Sequence, residues 1–261
     1  MLIELRSNGE VERRELALIS HRGGKGFGPE NTLQSLEGAL DFGVEMVETD
    51  VRMSGDGVPV IHHSPFLGLH LLARMTVAEI GERAPEIPTL REYLDLAGGR
   101  CAMNLEIKRC DASVLAAIIA AAEPVFPILV SSFDADFLED FRRIGSPVEL
   151  GLLSQYELAG ERILKDAHRC GATTLLPVSF AVRNGLVDMA HTAGLRVITW
   201  TVNSPELLQD TVAAGVDGVI TDSYPEIKEF LESGDMGLRA DKPPLPDGGG
   251  CRPKGGTKDY G

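Results

Sequence analysis

The 261-residue sequence contains no apolar run near the roughly 18 residues that a membrane-spanning helix needs. Its first twenty residues carry too much charge for the core of a signal peptide. These absences predict a cytoplasmic protein without stable insertion into a membrane. The four cysteines, Cys101, Cys110, Cys170 and Cys251, show no Cys-x-x-Cys spacing. We therefore expect free or buried thiols rather than a cysteine metal site or a disulfide framework.

Positive charge is also scarce in this sequence. The 25 lysines and arginines stand against 39 aspartates and glutamates, which gives a formal net charge of −14. An acidic chain repels nucleic-acid backbones and anionic lipid surfaces, so we expect no nucleic-acid partner. A substrate that carries phosphate would need a local positive site or a bound cation.

Short apolar runs alternate along the chain with stretches of helical periodicity. Eight of these runs are predicted strands: 16–20, 46–52, 101–108, 126–132, 148–153, 173–178, 195–202 and 218–222. Strand and helix in alternation indicate parallel βαβ units, and eight units in about 220 residues predict an α/β fold, a (β/α)8 TIM barrel. A doubly wound open sheet is the alternative, but the glycine signature that binds phosphate in that fold is missing after the first run.

Three segments depart from the alternation. The Gly-rich turn before 58–63 predicts a hairpin, and 64–98 is predicted to be a small insertion between the second and third barrel strands that covers the barrel mouth. We expect one domain over 1–232 and a disordered tail over 233–261, which is rich in Gly and Pro. Before the first helix, Asn31 is the predicted N-cap, with Gln34 completing a capping box.

Polar side chains occur at the C-terminal ends of several predicted strands, where barrels of this kind place their active sites. Spacing of two residues puts Glu48 and Asp50 on one face of a strand, and the same spacing relates Glu106 to Lys108. The full set of candidate residues is His21, Arg22, Glu48, Asp50, His63, Glu106, Lys108 and Trp200.

These residue types together predict phosphodiester cleavage. Three converging carboxylates repel one another unless protons or a cation intervene, and oxygen ligands favour Mg²⁺ or Ca²⁺ over zinc. His21 and His63 could serve as general acid and base near neutral pH, while Arg22 and Lys108 would hold an anion. Each residue also has a structural alternative, as a loop cap, a surface ion-pair former or, for Trp200, a core side chain.

The motifs in this chain resemble those of the glycerophosphodiester phosphodiesterase family. They are HRG (21–23), PENT (29–32), ETDV (48–51), DGVPVIHHS (56–64), IPTL (87–90), NLEIK (104–108), SSF (131–133), WTVN (200–203) and GVDGVITD (215–222), in family order. The resemblance covers roughly residues 15 to 232 and implies a (β/α)8 barrel that hydrolyses glycerophosphodiesters to sn-glycerol 3-phosphate and an alcohol.

The resemblance also implies roles for individual residues. Glu48, Asp50 and Glu106 would bind one divalent cation, and His21 and His63 would form the acid-base pair. Arg22 and Lys108 would hold the phosphate oxygens, and Trp200 would form a wall of the pocket.

One position departs from the family pattern. Ser64 stands where the family usually has an aspartate after the second histidine, a difference that bears on rate and substrate preference more than on the reaction class. The apolar segment 66–72 suggests a second possible activity, a lysophospholipase D that acts on lysophospholipids at the same site. A non-catalytic phosphodiester-binding protein is the alternative from another functional class.

Overall fold

A computed structural model describes residues 1–7, 10–155, 160–182 and 185–233 of the chain. Apart from Ser233, the predicted disordered tail lies outside the described residues. The single-domain organisation stays a prediction.

The described strands are β1 (Leu2–Ser7), β2 (Glu10–Glu15), β3 (Ala17–Ser20), β4 (Met46–Met53), β5 (Pro59–Ile61), β6 (Phe66–Leu67), β7 (His70–Leu71), β8 (Ala102–Arg109), β9 (Ile128–Ser132), β10 (Glu149–Ser154), β11 (Thr174–Pro177), β12 (Arg196–Thr199) and β13 (Gly218–Thr221). The α-helices are α1 (Leu33–Phe42), α2 (Val77–Arg83), α3 (Leu90–Ala97), α4 (Ala112–Ala122), α5 (Ala135–Ile144), α6 (Gly160–Cys170), α7 (Leu186–Thr192), α8 (Pro205–Ala213) and α9 (Tyr224–Glu232). None of these helices is long and apolar enough to cross a membrane.

Eight parallel strands close into a barrel, which confirms the predicted fold. In space, β3 is followed by β13, β12, β11, β10, β9, β8 and β4, and pairing of β4 with β3 closes the ring. Strands such as β9 and β11 are buried along their whole length. Burial on both faces explains why the sequence shows them as continuous apolar runs rather than alternating patterns.

The core is divided by the barrel wall. Inside the barrel, six strands contribute one apolar residue each to a single cluster: Ile19, Leu129, Leu153, Leu176, Ile198 and Ile220. A larger cluster lies between the strands and the surrounding helices and includes Leu36, Leu105 and Phe141. The interior is therefore filled with side chains, which leaves the ends of the strands as the place for a site.

The insertion lies between β4 and β8, as predicted. It begins with β5, which pairs antiparallel with β4 and forms the predicted hairpin, and continues through the short β6–β7 hairpin and α2. A small apolar cluster of its own, with Val60, Leu72 and Ile80 at its centre, holds it together. Helix α3 packs beside α1 and α4 in the outer helical layer, so the excursion from the barrel ends before Leu90.

Two local features differ from the sequence predictions. The N-cap of α1 is Thr32, whose side chain accepts the Ser35 N–H, while the Ser35 hydroxyl accepts the Thr32 N–H. The prediction that Asn31 caps this helix is therefore wrong. Asn31 instead adopts a left-handed conformation (φ 60°) and directs its side chain to β4. The antiparallel β1–β2 hairpin, which precedes the barrel, was not predicted.

Candidate active site

Three buried carboxylates lie on two neighbouring barrel strands, on the side of the barrel where β3 ends. Glu48 and Asp50 are on β4, and Glu106 on β8 lies opposite Asp50 in the parallel register. One oxygen of each lies within 4.8 Å of the others. The exposed fractions are only 2 %, 1 % and 8 %, so water provides little screening between them.

The electrostatics of this cluster fit a divalent cation. Burial, together with repulsion from Asp50 and Glu106, raises the pKa of Glu48 well above its usual range. Burial also raises the pKa of Glu106. Glu48 Oε2 accepts the Arg22 N–H at 2.9 Å, whereas its buried Oε1 has no hydrogen-bond partner among the described residues. An orphaned carboxylate oxygen within a set of hard oxygen ligands suits Mg²⁺ or Ca²⁺.

Asn31 orients the central carboxylate of the cluster. Its Nδ2 donates to Asp50 Oδ2 at 2.8 Å, and its Oδ1 accepts from Thr49 Oγ1 at 2.7 Å. Burial alone would raise the pKa of Asp50, but Lys108 and the other polar neighbours outweigh it, and this pKa is lowered. Hydrogen bonds of this kind fix the direction of a metal-binding carboxylate. The sequence reasoning missed this role because it assigned Asn31 to a helix cap.

The two candidate phosphate-binding cations lie against the carboxylates. Lys108 Nζ pairs with Glu106 Oε1 and lies 3.2 Å from Asp50 Oδ1. Arg22 donates from one guanidinium nitrogen to both oxygens of Glu30 at 3.0 Å, and its Nε is 3.9 Å from Asp50 Oδ2. Both cations therefore border the carboxylate cluster and partly neutralise it. From this position they could also contact a bound anion.

His21 faces the cluster from the end of β3. Its Nε2 lies 3.7 Å from Glu48 Oε2, and its Nδ1 lies 2.7 Å from Asp222 Oδ1. The hydrogen bond with His21 is the main reason that the pKa of Asp222 lies below its usual range. Asp222 was not among the candidate residues. It follows the last barrel strand directly, as His21 follows β3, so the same strand-end pattern could have identified it.

His63 follows the β4–β5 hairpin and is half-buried. Burial lowers its pKa to about 4, against an opposing attraction to Asp50. Arg52, two residues after Asp50 on β4, donates from Nε to the His63 carbonyl at 2.9 Å and so holds the backbone of this histidine. Ser64 Oγ accepts the Phe66 N–H at 3.1 Å, so it supports the turn into the insertion. The sequence reasoning missed Arg52.

Trp200 lies beside the site rather than within the carboxylate cluster. Its Nε1 donates to the Leu176 carbonyl at 2.9 Å, and its ring packs edge-on against Phe133, with the ring centroids 5.8 Å apart. Lys108 Nζ in turn lies 5.7 Å from the centroid of the Phe133 ring. The structure therefore brings Trp200 to the edge of the site through Phe133, a residue that the sequence reasoning did not single out.

This fold and site define an enzyme of the (β/α)8-barrel class, with acidic, basic and imidazole groups gathered at the C-terminal barrel face. The sequence matches the model of the "Glycerophosphoryl diester phosphodiesterase family" over residues 21–226. The chain belongs to this family of phosphoric diester hydrolases.

Relatives and solved structures agree with this assignment. A glycerophosphodiester phosphodiesterase of Caldanaerobacter subterraneus is 30 % identical over 242 residues, which cover 83 % of this chain and 98 % of the relative. The structure of an Oleispira antarctica phosphodiesterase in complex with the product sn-glycerol-3-phosphate is 26 % identical, with a TM-score of 0.75 over 82 % of this chain and 96 % of the other. A glycerophosphodiester phosphodiesterase structure from Thermotoga maritima, also 26 % identical, has a TM-score of 0.70 and covers 84 % of this chain and 99 % of the other.

Proposed function

We propose that this chain hydrolyses glycerophosphodiesters to sn-glycerol 3-phosphate and an alcohol, with a divalent cation bound by Glu48, Asp50 and Glu106. The observation that carries the proposal is the buried cluster of these three carboxylates beside His21, Arg22 and Lys108. The bound product in the Oleispira antarctica relative supports the same substrate class. When bound, the cation would neutralise the carboxylates and polarise the phosphate.

The side chains of the chain itself account for the remaining chemistry. One histidine of the His21–His63 pair takes the proton of the attacking group, either water or the 2-hydroxyl of the substrate's own glycerol, and the other gives a proton to the leaving alkoxide. If the 2-hydroxyl attacks, a cyclic phosphate forms, and water then opens it to glycerol 3-phosphate. Arg22 and Lys108 pair with phosphate oxygens and stabilise the negative charge that develops there. Trp200 and Phe133 form an apolar wall against the glycerol or the alcohol.

The test is release of glycerol 3-phosphate from glycerophosphocholine and from glycerophosphoethanolamine, in EDTA and with added Mg²⁺ or Ca²⁺. We expect turnover that EDTA abolishes and that one of the two cations restores. Replacing either His21 or His63 by alanine should lower kcat by about 10²–10⁴-fold, as loss of a general acid or base does. Near wild-type turnover in either variant would contradict the acid-base pair.

A second substrate class is favoured by one specific observation. Phe66 and Leu69 of the insertion, three and six residues after His63, are 51 % and 97 % exposed, so an acyl chain could contact them. If lysophosphatidylcholine is turned over faster than glycerophosphocholine, the chain is a lysophospholipase D. If no substrate is turned over with any cation, the non-catalytic phosphodiester-binding role takes its place. Cytoplasmic location and the lack of a nucleic-acid partner stay predictions from sequence.

A further inference from the structure

Asp222 and His21 leave the barrel side by side although they are far apart in the sequence. β13 and β3 pair in parallel, with Thr221 opposite Ser20, so the residue that follows each strand lies next to the other. His21 Nδ1 and Asp222 Oδ1 are 2.7 Å apart and are separated by 201 positions in the chain. The contact exists because the barrel closes between its first and last strands.

The orientation of the Asp222 carboxylate is fixed by donors on its second oxygen. Asn203 Nδ2 donates to Oδ2 at 3.0 Å, and Lys25 Nζ lies 3.4 Å from the same oxygen. The Asp222 N–H donates to Asn203 Oδ1 at 2.9 Å, which holds the two residues together. Oδ1 is therefore the oxygen that remains for His21.

This arrangement selects one form of the His21 ring. An ionised carboxylate only accepts hydrogen bonds, so Nδ1 must carry the proton that it donates to Asp222. Nε2 then faces the carboxylate cluster, 3.7 Å from Glu48 Oε2, with its lone pair available in the neutral ring. The hydrogen bond at Nδ1 thus determines whether Nε2 is free to accept a proton.

We propose that Asp222 is a positioning residue that holds His21 in the Nδ1–H form, with Nε2 directed at the reacting groups. The inference rests on the proposed function, in which His21 transfers a proton. In the part of the chain that the structure describes, the ring of His63 makes no hydrogen bond, and this residue is held through its backbone carbonyl by Arg52. The two histidines are therefore held by different contacts, and of the two only His21 is hydrogen-bonded to Asp222.

Replacing Asp222 by asparagine should reverse the form of the ring. Two donors, Asn203 Nδ2 and Lys25 Nζ, face the Oδ2 position, so the amide oxygen of the new side chain should take that place. Its NH2 group then faces His21 Nδ1, which must become the acceptor, and Nε2 carries the proton instead. The shape of the site is preserved while the proton moves to the wrong nitrogen.

The experiment combines kinetics with NMR on the full chain. In Asp222→Asn we expect kcat for glycerophosphocholine to fall by about 10²-fold or more, with KM little changed. In the His21→Ala background the same substitution should lower kcat no further, because Asp222 acts through His21. A purely structural role would lower both backgrounds alike, and that result would overturn the proposal.

The NMR measurement decides the inference without activity. Long-range ¹⁵N–¹H spectra at about pH 9, well above the ordinary imidazole pKa of ~6.5, distinguish the two neutral forms, and the His21 signals are those lost in His21→Ala. We expect Nδ1–H in the wild type and Nε2–H in Asp222→Asn. An unchanged form in the variant would refute the proposal. If the wild type turned over no glycerophosphodiester, the proposed function would fail, but this readout would still stand.

A matched control lies at the other end of the same strand. Asp217, just before β13, accepts from His191 Nε2 at 2.9 Å and from the Val197 N–H at 2.7 Å. It is thus another aspartate paired with a histidine, but far from the carboxylate cluster. Asp217→Asn should leave kcat and the His21 spectrum unchanged. If it reproduced the effects of Asp222→Asn, those effects would reflect strand stability and the proposal would be wrong.

Discussion

Glu48→Gln is expected to stabilise the metal-free protein while it abolishes the response to a cation. Glu48 is 2 % exposed and lies within 4.8 Å of Asp50 and Glu106, measured between the ligand oxygens. Two unit charges at that distance repel by about 3 kcal/mol at an effective dielectric constant of about 20. Lys108 and partial protonation of Glu48, whose pKa is raised, offset most of this repulsion. We therefore expect a net gain of about 1–2 kcal/mol for the variant.

The substitution preserves the local hydrogen bond. A glutamine oxygen can accept the Arg22 N–H as Glu48 Oε2 does, and the new NH2 group can donate to the neighbouring carboxylates. For a chain of this size, 1 kcal/mol corresponds to about 2–4 °C in Tm, so the Tm in EDTA should rise by about 2–8 °C. A buried residue whose replacement raises stability is typical of a site selected for function.

Thermal unfolding at pH 8, in EDTA and with Mg²⁺ or Ca²⁺, measures both effects. In the wild type, a cation at 100 times its Kd should add about 2.7 kcal/mol, or roughly 5–11 °C. In Glu48→Gln this increment should be absent, and turnover should be lost. Glu37→Gln, at an exposed position on α1, is the control and should match the wild type in both respects. A lower Tm in EDTA, or an unchanged cation increment, would refute the electrostatic reasoning.

Two further predictions concern pH and the turn after β3. The raised pKa values of Glu48 and Glu106 keep protons on these carboxylates in the metal-free native state, and a cation must displace those protons to bind. The cation-induced rise in Tm should therefore shrink as the pH falls from 8 to 5. A rise that stayed constant over this pH range would contradict the prediction. Gly23→Ala should cost about 1–3 kcal/mol by chemical denaturation and lower kcat, because Gly23 has φ 71° and its Cβ would lie 2.5 Å from Tyr93 Oη. Gly43→Ala, with φ 83° and nothing within 4 Å of its Cβ, is the matched control, and an equal loss there would exclude the steric explanation.

Local sequence patterns were sufficient for the barrel and for much of the site. The apolar runs reflect strands that are buried on both faces for most of their length, and the stretches between them show the period of helices with one buried face. Both patterns lie within a single strand or helix. The spacing of two residues between Glu48 and Asp50 places them on one face of β4 in any sheet that buries this strand. The short range of these effects is the reason that the strand-end carboxylates could be recognised before the structure was known.

Tertiary structure alone decided which groups meet. The prediction for Asn31 failed because an asparagine before a helix suits an N-cap, and the contact with Asp50 depends on how the turn after His21 folds onto β4. Asp222 reaches His21 only because β13 pairs with β3 when the barrel closes. Likewise, Lys108 reaches Asp50 only because β8 pairs with β4 in the barrel. The sequence by itself determined the strands and the residues at their ends, whereas contacts between residues far apart in the chain arise from the closed barrel, which no local pattern encodes.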